Sequence, residues 1–208
     1  MKSVLKFIFR VFACLYPYKL HCKLKFVKDV FYTLWIRNFI GRLGDHSRIC
    51  YPCSMQGGGQ KNITIGDYCN ISGNSILGCW TKYGKQEFPR ASITIGDNCS
   101  IGEYNHITAC NKIIIGNGLL TGRYVIISDN SHGELKEETS LIEPIKRNLL
   151  SKGEVIIGNN VWIGDKVAIL AGVHIGNNVI VAANAVVTKD IPDNCVVAGV
   201  PGRIVKTI

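Results

Sequence analysis

The sequence predicts an all-β fold, a parallel β-helix wound from a six-residue repeat, with a short helical segment at its N-terminal end. Three observations predict it. Ile157-Gly158, Ile163-Gly164 and Ile175-Gly176 lie on one six-residue lattice that Ile169, Val181 and Val187 complete. Four positions after the lattice residues come further small or β-branched ones, Val161, Val167, Val173, Val179 and Ala185. Turn formers such as Asn159, Asn160, Asn177 and Asn178 stand beside the glycines, so each repeat reads as a short strand followed by a tight turn. Neither the helical period nor that of an alternating strand reproduces six. Three short strands per turn give a triangular coil of about eighteen residues, and stacking such coils at about 4.8 Å buries the lattice residues in one continuous core. Glycine follows the lattice residue because the corner demands a conformation, or a closeness of packing, that a Cβ hinders.

The lattice recurs upstream in weaker form as Ile65-Gly66, Cys69 and Ile71, then Ile95-Gly96, Cys99 and Ile101-Gly102, then Ile115-Gly116, Leu119, Thr121-Gly122, Val125 and Ile127. Cys69 and Cys99 take the small inward position, so packing accounts for them. Residues 78–91 and 130–153 interrupt the lattice with polar sequence, and excursions of that length from a regular solenoid tend to be functional. The pattern leaves the hand of the coil open, because right-handed crossovers are the general rule.

Residues 1–48 stand apart from this domain, which is expected over 49–208. Of the net charge of +9, eight units fall in residues 1–50, where ten Lys/Arg face only Asp29 and Asp45. The same stretch carries Phe7, Ile8, Phe9, Phe12, Tyr16, Phe26, Phe31, Trp35 and Phe39. Two readings fit: a helical cap with its apolar face on the solenoid and its lysines solvated, or peripheral contact with an anionic membrane surface. The two can coexist. Val4 to Tyr18 is apolar but interrupted by Lys6 and Arg10, so it reads neither as a cleaved signal nor as a span, which needs roughly 20 apolar residues. No nucleic-acid motif accompanies the charge.

Nine cysteines, an odd number without a paired framework, read as free thiols in a reducing cytosol. Cys50 and Cys53 form a lone C-x-x-C with no partner pair or histidine at zinc spacing, so no metal is expected. The protein is accordingly expected to be cytoplasmic, at or near the inner membrane face if the basic segment binds lipid.

At residues 155–205 the I-G-N-N-V-W-I-G run, the small residues from Ala182 to Ala185, the V-T-K-D-I-P turn and the A-G-V-P-x-R ending closely resemble the maltose/galactoside O-acetyltransferase-like branch of the hexapeptide-repeat acyltransferases. The segment I-S-D-N-S-H-G at 127–133 is similar to the D-x-x-H-G stretch of polysaccharide and lipopolysaccharide O-acetyltransferases. The resemblance implies a left-handed coil and a homotrimer with acetyl-CoA and acceptor between adjacent β-helices. It also implies a histidine acting as base. Ala182, Ala183, Thr188, Lys189 and Arg203 match positions that meet the coenzyme, Trp162 one that walls the acceptor or pantetheine channel, and Asn105 one near the acceptor. Backbone N–H groups at the corner after Trp162 are the expected oxyanion donors.

The chemistry suits these residue types. Acetyl transfer from a thioester to a sugar hydroxyl needs a base that removes the hydroxyl proton during attack, and imidazole titrates in the right range. His132 is the only one of five histidines beside a long interruption, and Asp129, three residues earlier, is expected to orient its ring. His21, His46, His106 and His174 are not assigned this role. Both Lys189 and Arg203 suit phosphate contact. No cysteine sits in an acyl-enzyme motif, so direct transfer is expected. The expectation is therefore an O-acetyltransferase acting on a sugar, in cell-surface polysaccharide biosynthesis. The alternatives are acetylation of a small free acceptor (sugar, amino sugar, antibiotic or serine), a zinc-dependent carbonic-anhydrase-like hydratase, and an idle solenoid scaffold.

Overall fold

A computed structural model describes residues 2–134 and 140–207. Two helices come first, α1 (Lys2–Leu15) and α2 (Tyr18–Ile36). The chain then winds through six coils of three strands. These are β1 (Arg42–Leu43), β2 (Arg48–Ile49) and β3 (Cys53–Gln56); β4 (Ile63–Ile65), β5 (Asn70–Ile71) and β6 (Ser75–Cys79); after a hairpin of β7 (Lys82–Tyr83) and β8 (Gln86–Glu87), β9 (Ser92–Ile95), β10 (Ser100–Ile101) and β11 (His106–Ala109); β12 (Lys112–Ile115), β13 (Leu120–Thr121) and β14 (Ile126–Ser128); β15 (Val155–Ile157), β16 (Trp162–Ile163) and β17 (Ala168–Ile169); β18 (His174–Ile175), β19 (Ile180–Val181) and β20 (Val186–Val187). Finally β21 (Cys195–Ala198) adds a rung to the second face and β22 (Arg203–Thr207) folds back antiparallel on it.

First, second and third strands of successive coils stack in parallel register into three sheets, A, B and C. The wall is a left-handed parallel β-helix. The lattice residues form its core: Ile157, Ile163, Ile169, Ile175, Val181 and Val187 are all buried, as are Val161, Val167, Val173, Val179 and Ala185. The weaker upstream lattice behaves the same way, with Ile65, Cys69, Ile71, Ile95, Cys99, Ile101, Ile115, Leu119, Val125 and Ile127 inside.

The A-to-B corner is stitched by one carboxylate or amide per coil. Asp97 accepts the N–H of Asp67 at 2.8 Å, Asn117 that of Asp97, Asn159 that of Asn117, Asn177 that of Asn159, and Asp193 that of Asn177. Each orphan amide of a tight turn is thus satisfied by the side chain in the next coil. The glycines before these residues, all but Asp193, which follows Pro192, are required by closeness: a Cβ on Gly96 would press on Asn117 Oδ1 and lie 2.8 Å from the Gly116 backbone.

The first coil starts at Arg42, ahead of residue 49, and α2 seals its open end. Asp29, Thr33 and Ile36 of α2 are buried. Asp29 Oδ1 accepts the Tyr51 N–H at 2.9 Å, Thr33 Oγ1 accepts the Ile49 N–H at 3.1 Å, and the Tyr32 hydroxyl donates to the Cys53 carbonyl. Polar side chains here replace the rung that the terminal coil lacks. Helix α1 differs, for it has no buried residue, and Phe7, Ile8, Phe9 and Phe12 are all exposed. No helix of the described residues is long and apolar enough to cross a membrane. All nine cysteines are free thiols. Cys53 lies four residues after Ile49, at the small inward position, and is buried, whereas Cys50 is half-buried beside Asn70, so the C-x-x-C pair straddles the coil wall.

Candidate active site at the C-to-A corner

Sheet C ends each coil, and its corner to sheet A is where both excursions leave. After β14 the chain reaches Asp129, whose carboxylate is fully buried. Oδ1 accepts the N–H of Cys110 at 2.8 Å, Oδ2 accepts that of Asn111 at 2.9 Å, and the Asn130 amide donates to Oδ1 at 3.0 Å. Asp129 therefore completes the corner of the preceding coil. This departs from the expectation that it orients His132: each of its two oxygens accepts a backbone N–H of the coil below, which presents two amides there with no strand to pair them.

The second excursion is closed at its root, where Ser131 and Leu150 exchange backbone hydrogen bonds of 3.0 and 2.9 Å. Residues 135–139 of that excursion lie outside the described residues. His132 follows the root directly and is exposed. Its Nδ1 lies 3.4 Å from the Tyr83 hydroxyl, and the two rings meet near edge-to-face with centroids 5.4 Å apart. Tyr83 comes from the β7–β8 hairpin, the first excursion, and donates its hydroxyl hydrogen to the Ile145 carbonyl at 2.7 Å. Gln86 on the same hairpin donates to the Leu149 carbonyl at 3.2 Å and accepts the Leu149 N–H at 2.7 Å. The described parts of the two polar interruptions are thus clamped to one another. Between them is a cavity of about 390 Å³ lined by Gln86, Gly133, Glu134, Arg147, Asn148 and Leu149, among others.

Thr188 and Lys189 follow β20 and are exposed. The register Ile127↔Ile169↔Val187 stacks β14, β17 and β20, so these two residues continue the edge from which His132 departs. They stand two rungs along it, roughly 10 Å on. An imidazole that can take a proton and a cation that can meet phosphate accordingly share one edge.

The other predicted residues lie elsewhere. Ala182 and Ala183 form the B-to-C corner after β19, where a Cβ on Gly164 would come within 2.6 Å of the Ala183 nitrogen. Trp162 stands on the outer face of sheet B, 52% exposed, between Leu120 and Ile180. Arg203 is exposed at the start of β22. The Gly164 N–H, at the corner expected to supply oxyanion donors, is engaged by the Val181 carbonyl at 2.8 Å. Asn105 is corrected outright. It is 1% exposed, its amide donates to Thr121 Oγ1 and the Gly122 carbonyl, and its Oδ1 accepts the Val125 N–H at 2.7 Å. It occupies the small inward position four residues after Ile101, so it braces the coil instead of facing an acceptor.

His106 lies on sheet C, and burial holds its pKa below the usual histidine value. His174 points outward from sheet A, and His46 stacks on Tyr68 with centroids 4.8 Å apart. Among the described residues no group of three His, Cys, Asp or Glu is arranged to hold a metal ion. Sequence reasoning missed Tyr83 and Gln86. The signal available was a Tyr-Gly-Lys-Gln turn inside the first polar interruption, with Gly84 at positive φ.

Residues 154–189 match the family described as bacterial transferase hexapeptide (six repeats). Over 123 residues the chain is 41% identical to the putative lipopolysaccharide biosynthesis O-acetyl transferase WbbJ of Escherichia coli (strain K12), covering 57% of this chain and 62% of that protein. Over 101 residues it is 40% identical to the galactoside O-acetyltransferase of the same strain, covering 46% and 44%. The chain therefore spans less than two thirds of the length of either relative. Its fold is similar to that of AntD, an N-acyltransferase from Bacillus cereus in complex with dTDP and 3-hydroxybutyryl-CoA, with a TM-score of 0.64, 22% identity, and 84% of this chain and 86% of that one covered.

Proposed function

We propose that this chain, whose residues 154–189 are hexapeptide repeats of the bacterial transferase type, is an acetyl-CoA-dependent O-acetyltransferase acting on a sugar hydroxyl. The acceptor is a glycan of cell-surface polysaccharide biosynthesis. The observation that carries the reading is His132, an exposed imidazole held at the root of an excursion on the same edge as Lys189. Its Nε2 takes the hydroxyl proton as the acceptor oxygen attacks the thioester carbonyl. The C–S bond then breaks, and the imidazolium returns the proton to the departing thiolate. Asp129 serves the reaction by fixing the corner from which His132 emerges. Thr188, Lys189 and Arg203 hold the coenzyme's phosphates, and Ala182 and Ala183 let its pantetheine arm lie against the coil.

Trp162 and His132 stand on different faces of one β-helix, which supports a homotrimer in which sheet B of one copy faces the C-to-A edge of the next. The exposed apolar residues Leu120 and Trp162 on that sheet suit such a face. Sequence likeness to WbbJ supports the polysaccharide acceptor. Helix α1, basic and apolar with no buried residue, is proposed to touch an anionic membrane surface at the cytoplasmic face, where lipid-linked glycans are built.

The test is thiol release from acetyl-CoA with a panel of oligosaccharides. His132→Ala is expected to lower kcat by about 10² to 10⁴, and Lys189→Ala to weaken acetyl-CoA binding measured by calorimetry. Absence of acetyl-CoA binding by the wild-type protein would end the proposal. Co-sedimentation with anionic liposomes at low salt, lost on deleting residues 2–15, checks the role of α1 separately.

A further inference from the structure

We infer that Tyr83 is the positioning residue of His132, setting which imidazole nitrogen carries the proton; this rests on the reading of His132 as the base. The donor count leads to it. A phenol has one hydrogen, and the Tyr83 hydroxyl gives it to the Ile145 carbonyl at 2.7 Å. Its oxygen then has only lone pairs to offer the His132 Nδ1, 3.4 Å away. Nδ1 must be the donor, so the neutral ring is the Nδ1–H tautomer and Nε2 carries the free lone pair. The relay runs Nδ1–H to phenol oxygen, phenol O–H to carbonyl. No further oxidant, cofactor or charge is needed, since the only proton that moves is the acceptor's, to Nε2 and back to the leaving thiolate.

The carboxylate that sequence spacing nominates for this task is committed elsewhere, as Asp129 accepts the Cys110 and Asn111 amides. A ring-orienting group is normally a carboxylate or backbone carbonyl. Here a phenol does the work, carried on a separate excursion. Its ring is itself steadied by Trp80, with centroids 5.9 Å apart, and its hairpin by Gln86 on Leu149. As His132 becomes imidazolium, its Nδ1–H strengthens the bond to a phenol already polarised by the carbonyl, a gain realised only when charge develops.

The experiment uses the full chain labelled with ¹⁵N-histidine, comparing wild type, Tyr83→Phe and Gln86→Ala by ring-nitrogen shifts and by kinetics. Phenylalanine keeps the ring packing and removes only the hydroxyl. The expected result is a predominantly Nδ1–H His132 in wild type and in Gln86→Ala, reverting to mostly Nε2–H in Tyr83→Phe. With it, kcat should fall about tenfold to a hundredfold while the KM for acetyl-CoA stays put. A His132 tautomer that is unchanged in Tyr83→Phe overturns the inference whatever the activity does. A loss of kcat equal in Gln86→Ala and Tyr83→Phe also overturns it, because then the hairpin matters only as a clamp. Full turnover in His132→Ala, with the tautomer still following Tyr83, instead removes the reading beneath it.

Discussion

Two corners of the same coil are built on opposite plans. At the A-to-B corner the coils repeat one device, an Asp or Asn that accepts the N–H of its counterpart in the neighbouring coil, from Asp97 through Asp193, with a close-packed glycine before each except Asp193, which follows Pro192. At the C-to-A corner the repeat is broken twice, by the β7–β8 hairpin and by the excursion after Asp129, and there Tyr83 meets His132 while Gln86 holds Leu149. The regular corner supplies fold stability through satisfied amides and tight stacking. The irregular one gains room for side chains that stand clear of the wall, at the cost of amides that Asp129 must satisfy singly. Function is thus expected where the solenoid departs from its own rule.

The largest effects should separate the two corners completely. His132→Ala is expected to remove most turnover with little change in melting temperature, whereas Gly96→Ala, whose new Cβ would press on the Gly116 backbone at 2.8 Å, should cost about 3 kcal/mol of stability in chemical denaturation. Coequal losses of stability in both variants would erase the distinction. Asp129→Ala sits between them. It leaves the Cys110 and Asn111 amides without their charged acceptor, so a loss of about 2 to 3 kcal/mol is expected, with kcat reduced because the root of the excursion is freed. An Asp129→Ala protein of wild-type stability but altered kcat would return Asp129 to a direct role on the ring.

A smaller effect concerns the solenoid interior. Burial pushes the thiol pKa of Cys53 and Cys110 up to about 12 and that of Cys79 to about 11, so the folded state favours the protonated form. Their contribution is fully present below the ordinary thiol value of 9.0 and is lost as pH rises toward 11 to 12. Denaturation midpoints should therefore decline across that alkaline window. Alkylation of the native protein near neutral pH should label Cys14 and Cys22, the two exposed thiols, and spare the buried ones. Labelling of Cys53 at the same rate would show that α2 does not seal the first coil.

The His106 shift has the opposite sense. Because burial lowers its pKa, the neutral ring is favoured in the fold, and its contribution, full above the ordinary value of 6.5, is lost as pH falls from there through the lower folded value. His106→Gln should flatten that limb of the profile.

The sequence by itself determined the core and the coil, because a six-residue spacing of Ile, Val and Cys with glycine behind it can bury its apolar positions in no simpler way. The lattice even specified residues whose chemistry suggested another role: Asn105, four after Ile101, and Cys53, four after Ile49, both turned inward as position demanded. The polar interruptions were equally legible, and with them the place of His132 beside one, since breaks in a strict period are visible in one dimension. What only the tertiary structure decided is which distant residues the breaks bring together. Tyr83 and His132 are 49 residues apart, and nothing in local periodicity couples two excursions whose shared edge exists only once the coils are stacked. For the same reason the proximity of Asp129 to His132 along the chain misled: burial assigned the carboxylate to the two amides of the coil beneath, where leaving them unpaired would cost most.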